Sequence, residues 1–152
     1  MSKRPFIVFG IFAVICVLVL PFIALGKEGD EDAGTVQVAS QDLESKDLFA
    51  NNCGTCHTLA AAGTDGVVGP NLDDRFAPTG TNSAQSYEGN ATTVLLAVQC
   101  GIGGRMPRGI LEEAEAQQVA QFVAAYAGQI GKGPAVDTAT APLPKPQACP
   151  QG

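Results

Sequence analysis

Apolar residues are concentrated at the start of the 152-residue chain. No residue from Pro5 to Gly26 is charged, and Phe6 to Leu25 is apolar apart from Gly10. Roughly 20 helical residues rising 1.5 Å each span about 30 Å, the thickness of a bilayer core. The run therefore predicts a transmembrane anchor in residues 1–26. Lys3 and Arg4 precede it, and Glu28, Asp30, Glu31 and Asp32 follow it. That asymmetry puts the N-terminus in the cytoplasm and everything after Lys27 outside. The alternative is a cleaved signal peptide. Ala24-Leu25-Gly26 resembles a small-residue cleavage site, and Pro21 is placed to break a helix just before it, although the run exceeds the usual signal core. Both readings deliver the rest of the chain to an outer compartment. Cys16, inside the run, reads as a small buried hydrophobe.

Beyond the run, residues 27–44 are acidic and show no apolar period, which predicts a flexible tether. Residues 45–127 form the stretch with globular patterning. Residues 128–152 carry five prolines and predict an irregular tail. Three helices are expected in the globular stretch. The first covers Ser45 to Asn52, with Leu48 and Phe49 apolar. The second covers Thr92 to Gln99, with Val94, Leu95 and Val98 on one face and Gly101 as its stop. The third covers Glu112 to Ala127, where Val119, Phe122, Val123 and Tyr126 follow the i, i+3, i+4, i+7 pattern. Glu112, Glu113 and Glu115 fall in its first turn and complement the helix dipole. Thr58 to Ala91 reads as a long Gly/Pro/Asn/Asp-rich loop with no convincing alternating strand. A loop of that length needs something to wrap around. The prediction is an all-α domain whose own apolar material is too scarce for a generous core, a case in which small domains recruit disulfides, metals or cofactors.

Charge narrows the classes. Lys and Arg number 9 against 15 Asp and Glu, a net charge of −6. This excludes the basic face that nucleic-acid binding requires. With Gly 18 and Pro 10, there is room for only a few regular elements. The chain has no Trp and a single His.

That His belongs to Cys53-Gly54-Thr55-Cys56-His57. C-x-x-C-H is the attachment signature for c-type haem. The two thiols, one helical turn apart, reach the two vinyl groups and form thioethers, and the adjacent His is set beneath the iron as proximal ligand. A thioredoxin-type dithiol would require a strand–helix setting, and none is visible. A structural zinc site needs four ligands; Cys100 and Cys149 would have to complete it, without zinc-type spacing. The sixth iron ligand follows by elimination. With His57 the only His, Met is the usual alternative. Met1 is the initiator on the far side of the membrane, which leaves Met106. It lies in Gly103-Gly104-Arg105-Met106-Pro107, where the glycines let backbone approach the cofactor and Pro107 stiffens the loop. The other reading is a Met packed on the haem face without ligation.

At these residues the chain resembles the class I cytochromes c. The resemblance spans about residues 45–127 and rests on four motifs in the family's order. Leu48-Phe49 precedes Cys53-x-x-Cys56-His57; Gly69-Pro70-Asn71-Leu72 follows; then come Gly103 to Pro107 and a terminal amphipathic helix from Leu111 to Tyr126. It implies a small helical fold wrapped around one covalent haem c. It also implies that the Pro70 carbonyl accepts a hydrogen bond from His57, raising its basicity, and that the first and last helices cross with Phe49 and Phe122 between them. Ser45 departs from the Gly usual at that crossing.

Arg75, Arg105 and Arg108 are candidates for pairing with haem propionates or for a docking patch, with solvated surface arginines as the alternative. Tyr87 is a further propionate candidate. Cys100 and Cys149 remain in an oxidising compartment and suggest a disulfide pinning the tail to the domain; free or intermolecular thiols are the alternatives. A covalently held His/Met haem has no open iron site, so the expected chemistry is one-electron transfer rather than catalysis. The expected role is an anchored carrier between a quinol-oxidising complex and a terminal oxidase or reaction centre, with the haem domain on the outer side of the cell membrane. The other readings are a fixed haem subunit of a larger redox complex and a haem sensor or enzyme.

Overall fold

The computed structural model describes residues 13–17 and 35–150. The chain divides into two compact units, Met1–Asp32 and Ala33–Gly152. In the first, residues 13–17 are helical. Among the described residues no helix is long and apolar enough to cross a membrane. Most of the expected anchor, together with residues 27–34 of the tether, lies outside the described residues.

Among the described residues the second unit contains four α-helices: α1 (Leu43–Asn52), α2 (Leu72–Phe76), α3 (Ala84–Cys100) and α4 (Glu113–Tyr126). Helix α4 is the central element. Its periodic apolar face is extended by alanines, so that Ala116, Val119, Ala120 and every residue from Phe122 to Ala127 are buried. It packs against α3 and α1. Phe49 and Phe122 are each 1% exposed, and burying side chains of this size stabilises by about 1.5–3 kcal/mol each. Leu95, Val94 and Val98 supply the α3 face. Helix α4 starts at a capping box, in which Glu112 and Glu115 satisfy each other's backbone amides.

The second helix begins at Ala84 rather than at Thr92. Its first two turns carry Gln85, Ser86, Glu88, Gly89 and Asn90 and so hide the apolar period. Tyr87 and Ala91 still bury one face, and Ser83 with Ser86 forms a capping box at the start. The expected long loop is therefore shorter and more structured. A two-stranded antiparallel pair, β1 (Thr58–Leu59) and β2 (Thr64–Asp65), brackets a short turn of 3-10 helix, Ala60–Ala62. Helix α2 follows, capped by Asn71, whose side chain accepts from the Asp73 amide at 2.9 Å. Strands of two residues are too short to show alternation. Asp73 then clips distant segments together. One carboxylate oxygen accepts from Ala60 N and the other from Gly128 N, both at 2.8 Å.

The tether is also shorter than its composition suggests. Residues 35–44 pack on the domain. Gln37 N donates to Lys132 O at 2.9 Å, Ala39 N donates to the Tyr126 hydroxyl at 2.9 Å, and Asp42 is 5% exposed. Asp42 is held by the Tyr126 hydroxyl at 2.7 Å and the Thr138 hydroxyl at 2.6 Å. These partners come from α4 and from the tail, which explains why no local signal marked the acid as buried.

The tail has no regular secondary structure, yet it is ordered against α4 as a strap. Ala135 N donates to Ala125 O, Gln121 donates to Thr138 O and Ala141 O, and Gln117 donates to Pro144 O. It thus runs back along α4 from its end toward its start. The strap finishes in a disulfide between Cys149 and Cys100, 49 residues apart. Closing a loop of that size removes about 4 kcal/mol of unfolded-chain entropy in the loop-closure model.

Candidate haem-binding site

The site is built at the end of α1. The helix closes with Cys53 N and Gly54 N both donating to Phe49 O, and a further turn follows in which Cys56 N and His57 N both donate to Cys53 O. This turn carries the two thiols and the imidazole as one unit. Cys53 is buried and Cys56 exposed, and neither is in a disulfide. Burial, then the neighbouring Cys56, pushes the Cys53 thiol up to about 11. A reactive redox thiol has a lowered pKa, and Cys53 is shifted the other way. The zinc reading loses its remaining ligands, because Cys100 and Cys149 are bonded to each other. Among the described residues no group of three or more His, Cys, Asp or Glu is placed to hold a metal ion.

His57 is oriented by the segment that follows β2. Its Nδ1 lies 2.9 Å from Pro70 O. A carbonyl only accepts, so Nδ1 carries the proton and Nε2 is left with its lone pair free for a metal. Gly69 lies flat beneath the ring; a Cβ there would collide with the imidazole. Gly69 N also donates to Cys56 O at 2.7 Å. Two threonines brace the turn. Thr64 Oγ1 donates to His57 O at 3.0 Å and accepts from Leu59 N, and Thr58 Oγ1 donates to Gly66 O at 2.9 Å. No sequence signal singles out these hydroxyls, since they act through backbone groups that only the fold brings near.

Met106 comes from a second segment. Helix α3 stops at Gly101, and Ile102 and Met106 pair across a tight loop, with Ile102 N to Met106 O and Met106 N to Ile102 O both at 3.2 Å. Gly101 has φ +70°, and a Cβ on it would lie 2.6 Å from Met106 O. Met106 is half-buried and packs against the same core that Cys53 helps to form. It lines a concavity of about 540 Å³ together with Cys100, Ile102, Pro107 and Arg108.

The remaining candidates separate. Arg75, Arg105 and Arg108 are exposed. Tyr87 is not placed for a propionate. It is 3% exposed, and burial, partly offset by Gln121 and reinforced by Asp42 and Glu88, raises its phenol above the ordinary range. Those neighbours come from α4 (Gln121), from the segment before α1 (Asp42) and from α3 (Glu88). Ser45 is half-buried on α1.

The donor set fits a covalent haem: two unpaired thiols on one turn, a single imidazole with its distal nitrogen free, and a glycine floor beneath it. The family match agrees. The Cytochrome c family matches residues 43–126. No curated protein matches the chain. Among solved structures, the crystal structure of the c-type cytochrome SorU from Sinorhizobium meliloti is 33% identical, covering 63% of this chain and 99% of that one, with a TM-score of 0.45. The chain belongs to the cytochrome c family, and its cofactor is covalently bound haem c.

Proposed function

We propose that this protein is an electron carrier, held at the outer face of the cell membrane, whose haem iron is ligated by His57 and Met106. Haem c supplies a centre that takes up and gives back one electron. Cys53 and Cys56 hold it permanently. His57 is kept in one tautomer by Pro70 and so presents Nε2 on one side. Met106 would supply its thioether as the second protein ligand, which would raise the potential relative to two histidines and leave no position for a substrate. The proposed partners are a quinol-oxidising complex as donor and a terminal oxidase or reaction centre as acceptor.

The observation that supports this reading is the His57 Nδ1–Pro70 O hydrogen bond, which leaves Nε2 of the single imidazole of the chain free to bind a metal. Placement outside the cytoplasm is supported by the disulfide, since such bonds persist in oxidising compartments, and by the charges flanking the apolar run. Docking of the Pro-rich tail on its own α4 favours a carrier over a fixed subunit, because that tail is then not free to wrap a partner.

The test is reoxidation of the reduced, full-length protein by membranes that contain the respiratory complexes. Rapid reoxidation that stops when the terminal oxidase is inhibited is expected. Failure to exchange electrons with those membranes, or isolation only with stoichiometric subunits, contradicts the carrier role.

A further inference from the structure

Electron transfer as described makes no use of the Cys100–Cys149 cross-link, yet its position is specific. Cys100 is the last residue of α3 and lines the concavity that holds Met106. The next residue, Gly101, starts the Met106 loop, with its backbone directly against Met106 O. A shift at the end of α3 is therefore passed straight to Met106. The other half of the bond is a fixed point. The strap leading to Cys149 is anchored on α4 by Gln121 and Gln117, and on Asp42 by Thr138.

The loop itself has little to hold it. Residues 102–105 and 107–110 are exposed. Apart from a turn bond from Arg105 N to Ile102 O at 2.9 Å, its pairing bonds are 3.2 Å each, and Gly109 N reaches Val98 O at 3.3 Å. Exposed backbone bonds with few buried contacts open at small free-energy cost.

We propose that the Cys100–Cys149 disulfide is a positioning element for Met106, tying the root of its loop to the strap on α4 and so keeping the thioether presented to the haem iron. The proposal rests on Met106 ligation as read above. A cross-link at the root removes loop conformations in which the thioether is withdrawn. An external ligand competes for the iron in proportion to the population of those conformations.

The experiment uses the full-length ferrous holoprotein with carbon monoxide as probe. It compares the parent with Cys149→Ala, Cys149→Ser and Ser83→Ala. The last removes the capping box at the start of α3, where Ser83 bonds Asn82 and Ser86 rather than the strap or the loop. Apparent carbon monoxide affinity, midpoint potential and thermal midpoint are read for each. Both Cys149 variants are expected to raise the apparent affinity by about ten-fold or more and to lower the potential. Ser83→Ala lowers the thermal midpoint through the lost cap and leaves the affinity within about two-fold of the parent. The same reading on parent protein treated with a dithiol after folding keeps the test independent of how the variants fold. Parent-like affinity and potential in the Cys149 variants and in the reduced parent overturn the proposal and leave Met106 ligation standing. A parent that binds carbon monoxide as tightly as Met106→Ala overturns the ligation reading, and the positioning role with it.

Discussion

The two segments proposed to face the iron are built in opposite ways. The His57 side is cross-braced. Its turn is hydrogen-bonded to the end of α1, closely approached by Gly69, and braced by Pro70, Thr58 and Thr64. The Met106 side is a surface loop, closed by a few backbone bonds and rooted at a disulfide. One segment is held by packing and side-chain bonds and the other by chain closure. On the proposed reading the first secures the cofactor, while the second sets how firmly the sixth position is held.

The largest effect is expected from removing attachment altogether. The Cys53→Ala/Cys56→Ala double variant should lose the cofactor and, with it, cooperative unfolding. Nine of the 21 buried hydrophobic residues described are alanines, and the aromatic members are Phe49, Tyr87, Phe122 and Tyr126, a small core for a domain of this size. A sharp thermal transition by circular dichroism in that variant would show that the interior is self-sufficient.

A smaller effect separates the two sides directly. Gly69→Ala drives a methyl into the His57 imidazole, and overpacking of that kind costs about 1–3 kcal/mol or more. Gly104→Ala meets no atom within 4 Å and is disfavoured only by its φ of +70°; positive φ at a non-glycine residue costs about 1 kcal/mol. Chemical denaturation of the two holoproteins should rank Gly69→Ala as the more damaging. Equal losses would remove the packed-against-closed distinction.

The smallest effect acts on the scaffold that both sides share. Burial first, with Asp42 and Asp137 adding to it and the Ala39 amide opposing, raises the Tyr126 phenol above its ordinary value of 10.0. The folded state thus keeps a proton that the unfolded state releases. This contribution is complete below pH 10 and is lost as pH climbs above it. Stability should decline on that alkaline side, and Tyr126→Phe should give a shallower decline together with about 1–2 kcal/mol lower stability at neutral pH, from the lost bond to Asp42. Denaturation midpoints between neutral and strongly alkaline pH measure both.

Local signals revealed the chemistry of the site and long-range contacts hid much of its support. Cys53, Cys56 and His57 could be read because attachment demands a fixed spacing within one helical turn. The apolar period of α4 was similarly plain. The first half of α3 was obscured because its polar residues outnumber Tyr87 and Ala91, the two that it buries. Asp42 fell in the segment read as a tether and Asp73 in the segment read as a loop, and partners that hold them, Tyr126 and Gly128, are 84 and 55 residues away. The strap looked like a free tail for the same reason, as its partners are side chains of α4 and backbone that only the fold brings close.

The most direct test of the account is the optical spectrum of the reduced protein with and without carbon monoxide, beside that of Met106→Ala. The account predicts that the parent is six-coordinate and ignores the gas, whereas Met106→Ala remains folded and binds it. Ready binding by the parent would mean that Met106 does not hold the sixth position and that the iron is open to ligands.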